Sequence, residues 1–376
     1  MNATVVAAII AGGLTLIGTV ATQILGRRAT KRDIKEQGEQ LNRTLAEQRT
    51  RTLNERFSTA ADKLGSDKPP AVRLAGVYAM AGLADDWPEN RQTCVDVLCA
   101  YLRMPYEPDP GEKAPGPERL DFRASREVRH TVIRVITAHL QDGAAVSWQG
   151  LNYDFTGVVF DGGDFNDANF SSGEVSFAGA GFPSGDVGFY GTKFSGANVY
   201  FSHARFSGGT VGFDAEFSGG KVIFSAEFSG GTVYFSHAKF CGGKVSFFDA
   251  EFSGAKIVFD HAKFSGEVDF GHARFTDGEV SFYEAEFCGG KVRFEFAEFY
   301  RGEISFNSAR FSSGEVSFKN AEFSVAAQVD FSGVYFSGTQ VDFSSPGLWA
   351  RPPKFASDTP PPGVTLPSQD PWYRPD

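Results

Sequence analysis

The sequence predicts a mainly β protein, in which a repetitive solenoid follows a transmembrane helix and a helical region. Three observations lead to this fold class. Phe is unusually abundant, with 38 copies among 376 residues, and 43 Gly accompany it. The Phe residues recur at intervals of five and seven over half of the chain. An uncharged apolar run stands near the N-terminus, ahead of a stretch rich in Gln, Glu and Arg.

The overall composition is that of a folded protein, with 41% hydrophobic residues, 22% charged residues and a net charge of −10. It excludes a collagen, a disordered chain and a polytopic membrane protein. Because the chain is acidic, no direct binding to nucleic acid is expected. The cysteines are too few and too scattered for a disulfide scaffold or a four-ligand zinc site. They are Cys94, Cys99, Cys241 and Cys288.

The first element is a predicted transmembrane helix over residues 4–25. This run has no charged residue, and a helix of its length rises about 33 Å, enough to cross the hydrocarbon core. Positive charges follow the run, from Arg27 onward, which is the reverse of a secretory signal. The positive-inside rule then places the N-terminus outside and the remainder in the cytoplasm, at the cell membrane. A buried soluble helix is the alternative, and the small residues of the run leave dimerisation in the membrane open.

Residues 27–64 are predicted to form a helical stalk. They contain no Pro and one Gly, and Ile34, Leu41 and Leu45 fall on one helical face without a strict heptad. Two interpretations stay open. The stalk lifts the rest of the chain off the membrane as a short coiled coil, which would make a homo-oligomer, or it packs against the helices that follow.

A small helical region is predicted over residues 65–104, with helices near 71–84 and 88–103. The first helix is apolar on almost every face, so it should be buried. Cys94 and Cys99 stand among apolar residues of the second helix. We interpret both as small core residues in a reducing cytoplasm.

A Pro-rich linker is predicted over residues 105–120, and a helix over residues 121–145 that caps the N-terminal end of the solenoid. An open stack of repeats needs such a cap. His130 and His139 lie nine residues apart on this helix. We interpret both as ordinary helix residues.

The predicted solenoid covers residues 150–345, where the Phe residues keep a countable register. They start at intervals of five and then alternate seven and five, so that 33 are in register from Phe155 to Phe343. The residue two before each Phe is usually Ala, Val or Ile, and Ser and Gly usually follow it. An alternation that breaks every few residues excludes an amphipathic helix and a long strand. It predicts a chain that turns a corner after each short side.

This pattern resembles the pentapeptide-repeat family. The segment ERFSTAADKLGSDKPPAVRLAGVYAMAGLADD, with VDVLCAYLR after it, resembles the helical region of membrane-anchored actinobacterial pentapeptide-repeat proteins. The resemblance implies a right-handed quadrilateral β-helix with four inward positions per coil, hence about eight coils. The family's simple pattern has about 20 residues per coil. The five-plus-seven spacing gives 24, which predicts a bulge at two opposite corners.

The inward Phe residues should form the structural core of this β-helix, whereas Phe248 and Phe296 break the register and should point outward. The core ladder that we predict comprises Phe201, Phe206, Phe213, Phe224, Phe235, Phe240, Phe247, Phe252, Phe259, Phe264, Phe282, Phe287, Phe294, Phe299, Phe306 and Phe311.

The C-terminal residues 346–376 are predicted to be a Pro-rich disordered tail. Leu348 and Trp349 are candidates for closing the end of the β-helix. Trp372 and Tyr373 are either a short docking motif or part of a solvated tail.

Outward residues one coil apart should stack. His237 and His261 should do so, but their surroundings lack further ligands, so no metal site is predicted. Cys241 and Cys288 stand where Ser usually follows Phe, so we interpret them as Ser substitutes. One column should alternate opposite charges: Lys244, Glu267, Lys291 and Glu315.

No motif for catalysis, phosphate binding or a cofactor is found, so an enzyme is not expected. We expect a membrane-tethered cytoplasmic scaffold or protein-interaction module, whose protein partners the sequence does not identify. The alternative is an acidic DNA mimic that binds a DNA-processing enzyme such as gyrase, since residues 150–345 carry 25 acidic and 13 basic residues. A third interpretation is that the helical region binds a ligand or catalyses a reaction, with the rod as an assembly device.

Overall fold

The computed structural model describes residues 3–65, 67–107, 109–357 and 360–368, with side chains from residue 31 onward. The chain divides into two compact units, Met1–Thr59 and Ala60–Asp376. Each unit is described by itself.

The first unit consists of helix α1, which spans Ala3–Leu64 and continues a few residues into the second unit. Ion pairs one helical turn apart, such as Arg51 with Glu55 at 3.0 Å, support it. Among the described residues, no helix is long and apolar enough to cross a membrane. The span predicted at residues 4–25 lies outside the residues whose side chains are described. The predicted coiled coil stays a prediction.

Three helices and one short 3₁₀ turn open the second unit. They are α2 (Pro70–Asp86), the 3₁₀ turn (Pro88–Asn90), α3 (Arg91–Arg103) and α4 (Gly116–Leu140). Helix α4 begins inside the linker predicted at residues 105–120. It does so because Pro117 occupies the first turn, where the missing N–H has no intrahelical partner to lose.

The helices share a closed apolar core. Val77, Met80 and Leu98 have no exposed surface, and neither do Cys94 and Cys99. Burial raises the pKa of the Cys99 thiol to about 12, which keeps it protonated and unreactive. The two cysteines therefore lie in the core, where the sequence placed them.

The rest of the second unit is a stacked β-solenoid of short strands, every one of which pairs in parallel with the turn above or below. In chain order they are β1 (Tyr153–Asp154), β2 (Gly163–Asp164), β3 (Asn169–Phe170), β4 (Glu174–Ser176), β5 (Gly181–Phe182), β6 (Asp186–Gly188), β7 (Lys193–Phe194), β8 (Asn198–Tyr200), β9 (Arg205–Gly212), β10 (Glu216–Phe217), β11 (Lys221–Ile223), β12 (Glu227–Tyr234), β13 (Lys239–Phe240), β14 (Lys244–Ser246), β15 (Glu251–Val258), β16 (Lys263–Phe264), β17 (Glu267–Asp269), β18 (Arg274–Ser281), β19 (Glu286–Arg293), β20 (Glu298–Phe299), β21 (Glu303–Ser305), β22 (Arg310–Ser317), β23 (Glu322–Phe323), β24 (Gln328–Asp330), β25 (Tyr335–Phe336), β26 (Gln340–Asp342), β27 (Leu348–Trp349) and β28 (Val364–Thr365).

Four columns of stacked rings fill the solenoid. Rings of one column lie nearly parallel, as in the pair Phe177 and Phe201, whose centroids are 4.6 Å apart with planes at 2°. Rings of neighbouring columns meet edge to face, as Phe201 and Phe213 do. Both arrangements are favourable for aromatic rings. The first column comprises Phe155, Phe177, Phe201, Phe224, Phe247, Phe270, Phe294, Phe318 and Phe343.

The solenoid has about nine turns, where the sequence predicted about eight, and the turns differ in length. Phe155 is 22 residues from its stacking partner Phe177, whereas Phe318 is 25 residues from Phe343. Corner loops change length without disturbing the inward rings. The prediction of 24 residues in every coil is therefore corrected to 22–25.

The longer corners depend on Gly because neighbouring turns approach closely there. Gly220 has a φ of +64°, and a Cβ at this position would lie 2.1 Å from the carbonyl oxygen of Ala197. Only Gly fits such a position, which accounts for much of the Gly excess.

The tail predicted to be disordered from residue 346 is instead structured over the part that the structure describes. Trp349 packs edge to face on Phe323, Phe355 stacks on Phe331, and β28 pairs with β26. These rings continue two of the columns by one further position. Residues 369–376, with Trp372 and Tyr373, lie outside the described residues.

Candidate functional site

The inside of the solenoid leaves no room for a ligand. All sixteen phenylalanines of the predicted ladder lie in the core, and none is more than 1% exposed. Function must therefore reside on the outer surface or in the helices.

One corner of the solenoid carries three stacked, exposed rings, which we name the corner stack: Phe248, His272 and Phe296. The ring centroids of Phe248 and His272 are 5.0 Å apart, and those of His272 and Phe296 are 4.9 Å apart. Phe248 is 39% exposed and Phe296 47% exposed. The outward direction predicted for these two residues is confirmed, whereas His272 was not singled out from the sequence.

The backbone at the corner stack is unfavourable for the side chains that it carries. Phe296 has a φ of 59° and His272 a φ of 55°. The corresponding corners of neighbouring turns hold Asp249, Asn320 and Gly179, which are residues that tolerate this left-handed region. A left-handed conformation costs an ordinary residue about 1–2 kcal/mol. Phe296 thus combines backbone strain with an exposed apolar ring.

A second outward pair lies on another corner. The rings of His237 and His261 stack at 5.0 Å with planes at 4°, which confirms the predicted stacking. Nδ1 of His261 lies 3.3 Å from a carboxylate oxygen of Glu284. Within the described part of the chain, no group of three potential ligands could hold a metal ion.

The predicted column of alternating charges is confirmed. Lys244 lies 3.5 Å from Glu267, and Lys291 lies 3.4 Å from Glu315, each pair joining successive turns. Arg293 also contacts Glu267 at 2.6 Å, and its hydrogen bond lowers the pKa of that carboxyl. Exposed pairs of this kind contribute about 0–1 kcal/mol each, so they serve register and solubility.

The two cysteines of the solenoid behave as Ser does. The thiols of Cys241 and Cys288 each lie 3.8 Å from the carbonyl oxygen of a Phe one turn earlier. The hydroxyls of Ser265 and Ser312 make the same contact at 3.4 Å. The sulfur atoms therefore replace a structural hydroxyl.

The helical region encloses a cavity of about 540 Å³ that the sequence did not reveal. Helix α2 contributes Arg73, α3 contributes Tyr101, and α4 contributes Phe122, Ser125 and Arg129; the loop between α3 and α4 closes the side with Met104, Tyr106 and Glu107. The size is typical of a small-molecule site.

Two guanidinium groups face this cavity. Arg129 is 5% exposed, stands 4.2 Å above the Tyr106 ring and donates to the carbonyl oxygens of Leu102 and Val159 at 2.7 and 2.9 Å. Arg73 donates to the hydroxyls of Tyr101 and Ser125 at 3.1 and 3.3 Å. Each Arg interrupts a run of apolar residues, which was the signal available in the sequence.

Asp161 of the first turn connects the helices to the solenoid. Its carboxylate accepts a hydrogen bond from the Tyr106 hydroxyl at 2.7 Å and lies 3.1 Å from Nε of Arg126 and 3.2 Å from Nε2 of His130. Burial raises the pKa of Asp161, but the contacts with His130, Tyr106 and Arg126 outweigh it, so the pKa lies below its usual value. His130 is therefore part of an interface.

His139 also has a specific place. Its ring stacks on Trp148 with centroids 3.9 Å apart, and Nε2 lies 3.3 Å from a carboxylate oxygen of Asp85. The interpretation of His130 and His139 as ordinary helix residues is corrected for both, because each joins α4 to a distant part of the chain.

Comparison with known proteins gave no match: no protein-family model, curated protein or solved structure is significantly similar to this chain.

Proposed function

We propose that this protein is a non-catalytic protein-interaction module, in which a solenoid of the pentapeptide-repeat type presents the corner stack to a protein partner. The apolar run at residues 4–25 would tether it to the cell membrane, with the solenoid on the cytoplasmic side. Four inward rings per turn, each usually preceded at two residues by Ala, Val or Ile, support the pentapeptide-repeat type.

The corner stack is the observation that carries this proposal. Residues that oppose both the local backbone preference and the exclusion of apolar groups from water are typical of functional positions. Aromatic side chains are also the ones enriched in the buried centres of protein interfaces. A partner that covers Phe248, His272 and Phe296 would bury the exposed rings.

A photo-crosslinking amino acid at position 296 tests the proposal in intact cells. We expect discrete crosslinked protein bands that are absent when the crosslinker stands at position 325. Val325 is the matched control because it is 75% exposed and apolar, and it follows Phe323 of a different column. Identical bands at both positions, or none at position 296, would contradict the proposal.

Membrane tethering is tested by fractionation. The full chain should remain with the membranes after a high-salt wash, and a chain that starts at Gly26 should appear in the soluble fraction. Release of the full chain by salt would show that the apolar run is not an anchor.

The DNA-mimic alternative rests on the acidic charge of the solenoid, with 25 acidic and 13 basic residues over residues 150–345. Ion pairs that join turns interrupt the acidic rows, as Lys256 with Glu279 and Lys263 with Glu286 do at 2.9 and 3.2 Å. A mimic of duplex phosphates would need rows of unpaired carboxylates. Inhibition of gyrase supercoiling by the purified chain, with no crosslinks at position 296, would favour this alternative.

A further inference from the structure

We propose that the cavity between α2, α3 and α4 binds a small organic monoanion, a carboxylate attached to an apolar body. This site is separate from the corner stack, and the interaction proposed for that stack does not depend on it.

The floor of the cavity supplies positive charge without a matching protein anion. Among the described residues, neither Arg73 nor Arg129 has a carboxylate oxygen within 4.0 Å. The nearby Asp161 carboxylate is already engaged by Tyr106, Arg126 and His130. A buried guanidinium without a counter-ion is costly, so an anion from solution would be bound favourably.

Arg73 has unused hydrogen-bonding capacity in the cavity. A guanidinium has five N–H donors in a planar fork. The two terminal nitrogens of Arg73 donate only to hydroxyl groups, and its Nε is buried with no hydrogen-bond partner among the described residues. The two oxygens of a carboxylate match such a fork, which is the preferred recognition geometry for that group.

The walls of the cavity fit an apolar body. Tyr106 and Phe122 stack with centroids 5.9 Å apart and planes at 25°, which makes one side of the cavity aromatic. Tyr101 and Met104 line the same cavity. At about 540 Å³, the space exceeds what a lone inorganic anion would fill.

The rim of the cavity limits the charge of the ligand. It carries four exposed carboxylates, which belong to Glu107, Asp109, Glu118 and Asp121. These would repel a phosphate ester or another ligand with several negative charges. The charges on floor and rim together favour a ligand that has one carboxylate at its inner end and a neutral or cationic outer end.

Three probes of the same shape test the proposal with the purified full chain. Phenylbutyrate, phenylbutyramide and phenylbutylamine differ in the charge of one end, and binding is measured by saturation-transfer NMR and calorimetry. We expect phenylbutyrate to bind at least about tenfold more tightly than the amide, and the amine to bind most weakly. Equal affinities, tighter binding of the amine, or no binding of phenylbutyrate up to about 10 mM would overturn the proposal.

Two variants locate the binding. Arg73→Gln should lower the affinity for phenylbutyrate by about tenfold or more and leave the affinity for the amide nearly unchanged. Arg134→Gln is the matched control, because Arg134 lies on α4 but pairs with Glu127 and does not line the cavity. Ser125→Leu should fill the cavity and weaken all three probes. Unchanged binding in both Arg73→Gln and Ser125→Leu, with unchanged melting temperatures, would place the site elsewhere.

Discussion

Phe296 concentrates a conflict at one residue. Its exposed ring and its φ of 59° both lower the stability of the fold, whereas its stacking on His272 recovers part of the loss. The next turn places Asn320 at the corresponding corner with a φ of 57°. The same backbone therefore accepts a residue that suits it, and the choice of Phe calls for a reason other than stability.

Exchange of the two residue types should show this cost directly. Phe296→Asn should raise the free energy of unfolding by about 0.5–1 kcal/mol, because Asn tolerates the left-handed region. Asn320→Phe should lower it by about 1–2 kcal/mol. Urea denaturation followed by circular dichroism measures both. A loss of stability in Phe296→Asn would show that the ring stabilises the corner.

At the scale of elements, α4 closes the N-terminal end of the solenoid through polar contacts. Arg126 and Arg129 donate to the carbonyl oxygens of Asp161 and Val159, and the Thr137 hydroxyl donates to that of Asp164 at 2.7 Å. The first turn has no preceding turn to satisfy these groups, so the helix side chains take that role. The ion-paired carboxylate of Asp161 joins the same interface.

Asp161 should make this interface sensitive to acid. Its folded-state pKa lies below that of the unfolded chain, so the ionised carboxylate stabilises the fold above about pH 4 and loses this effect as the pH falls through the folded-state pKa. Asp161→Asn should lower the free energy of unfolding by about 2 kcal/mol at pH 7 and by much less at pH 3. Urea denaturation at both pH values measures the difference. An equal effect at both would exclude this role of the carboxylate.

At the scale of the whole molecule, the solenoid is a one-dimensional stack whose last turn depends on residues beyond the regular repeat. Trp349 and Phe355 cover Phe323 and Phe331, and β28 adds a final strand at Val364. A stack of repeats loses stability when an end is left open. The chain after residue 345 is therefore an end cap over the part that the structure describes.

Two truncations separate a cap from a dispensable tail. A chain that ends at Ser345 should lose several kcal/mol, at about 1.5–3 kcal/mol for each large apolar side chain removed from the core. A chain that ends at Ser368 should keep the stability of the full chain. Thermal melting and hydrogen exchange of the last turn measure both. Equal stability of the two truncated chains would show that residues 346–368 do not cap the solenoid.

The sequence predicts the solenoid well because each inward Phe is a local signal, repeated once per side. It underestimates the length because the final positions are held by Trp349 and by Phe355, which follow no Ser-Gly corner. The cavity was missed for a different reason. Arg73 and Arg129 come together only when α2 and α4 pack, and such a distant pairing leaves no periodic trace.

The central claim is that the spacing of Phe decides which rings form the core. Phe247 and Phe248 are neighbours in the chain, yet the first is fully buried and the second is 39% exposed. The measurement is the thermal unfolding of Phe247→Asp and Phe248→Asp, followed side by side by circular dichroism. The register predicts that Phe247→Asp unfolds several turns and that Phe248→Asp melts within a few degrees of the unchanged chain, since a buried unpaired charge is costly and an exposed one is not. Similar melting curves for the two variants would contradict it.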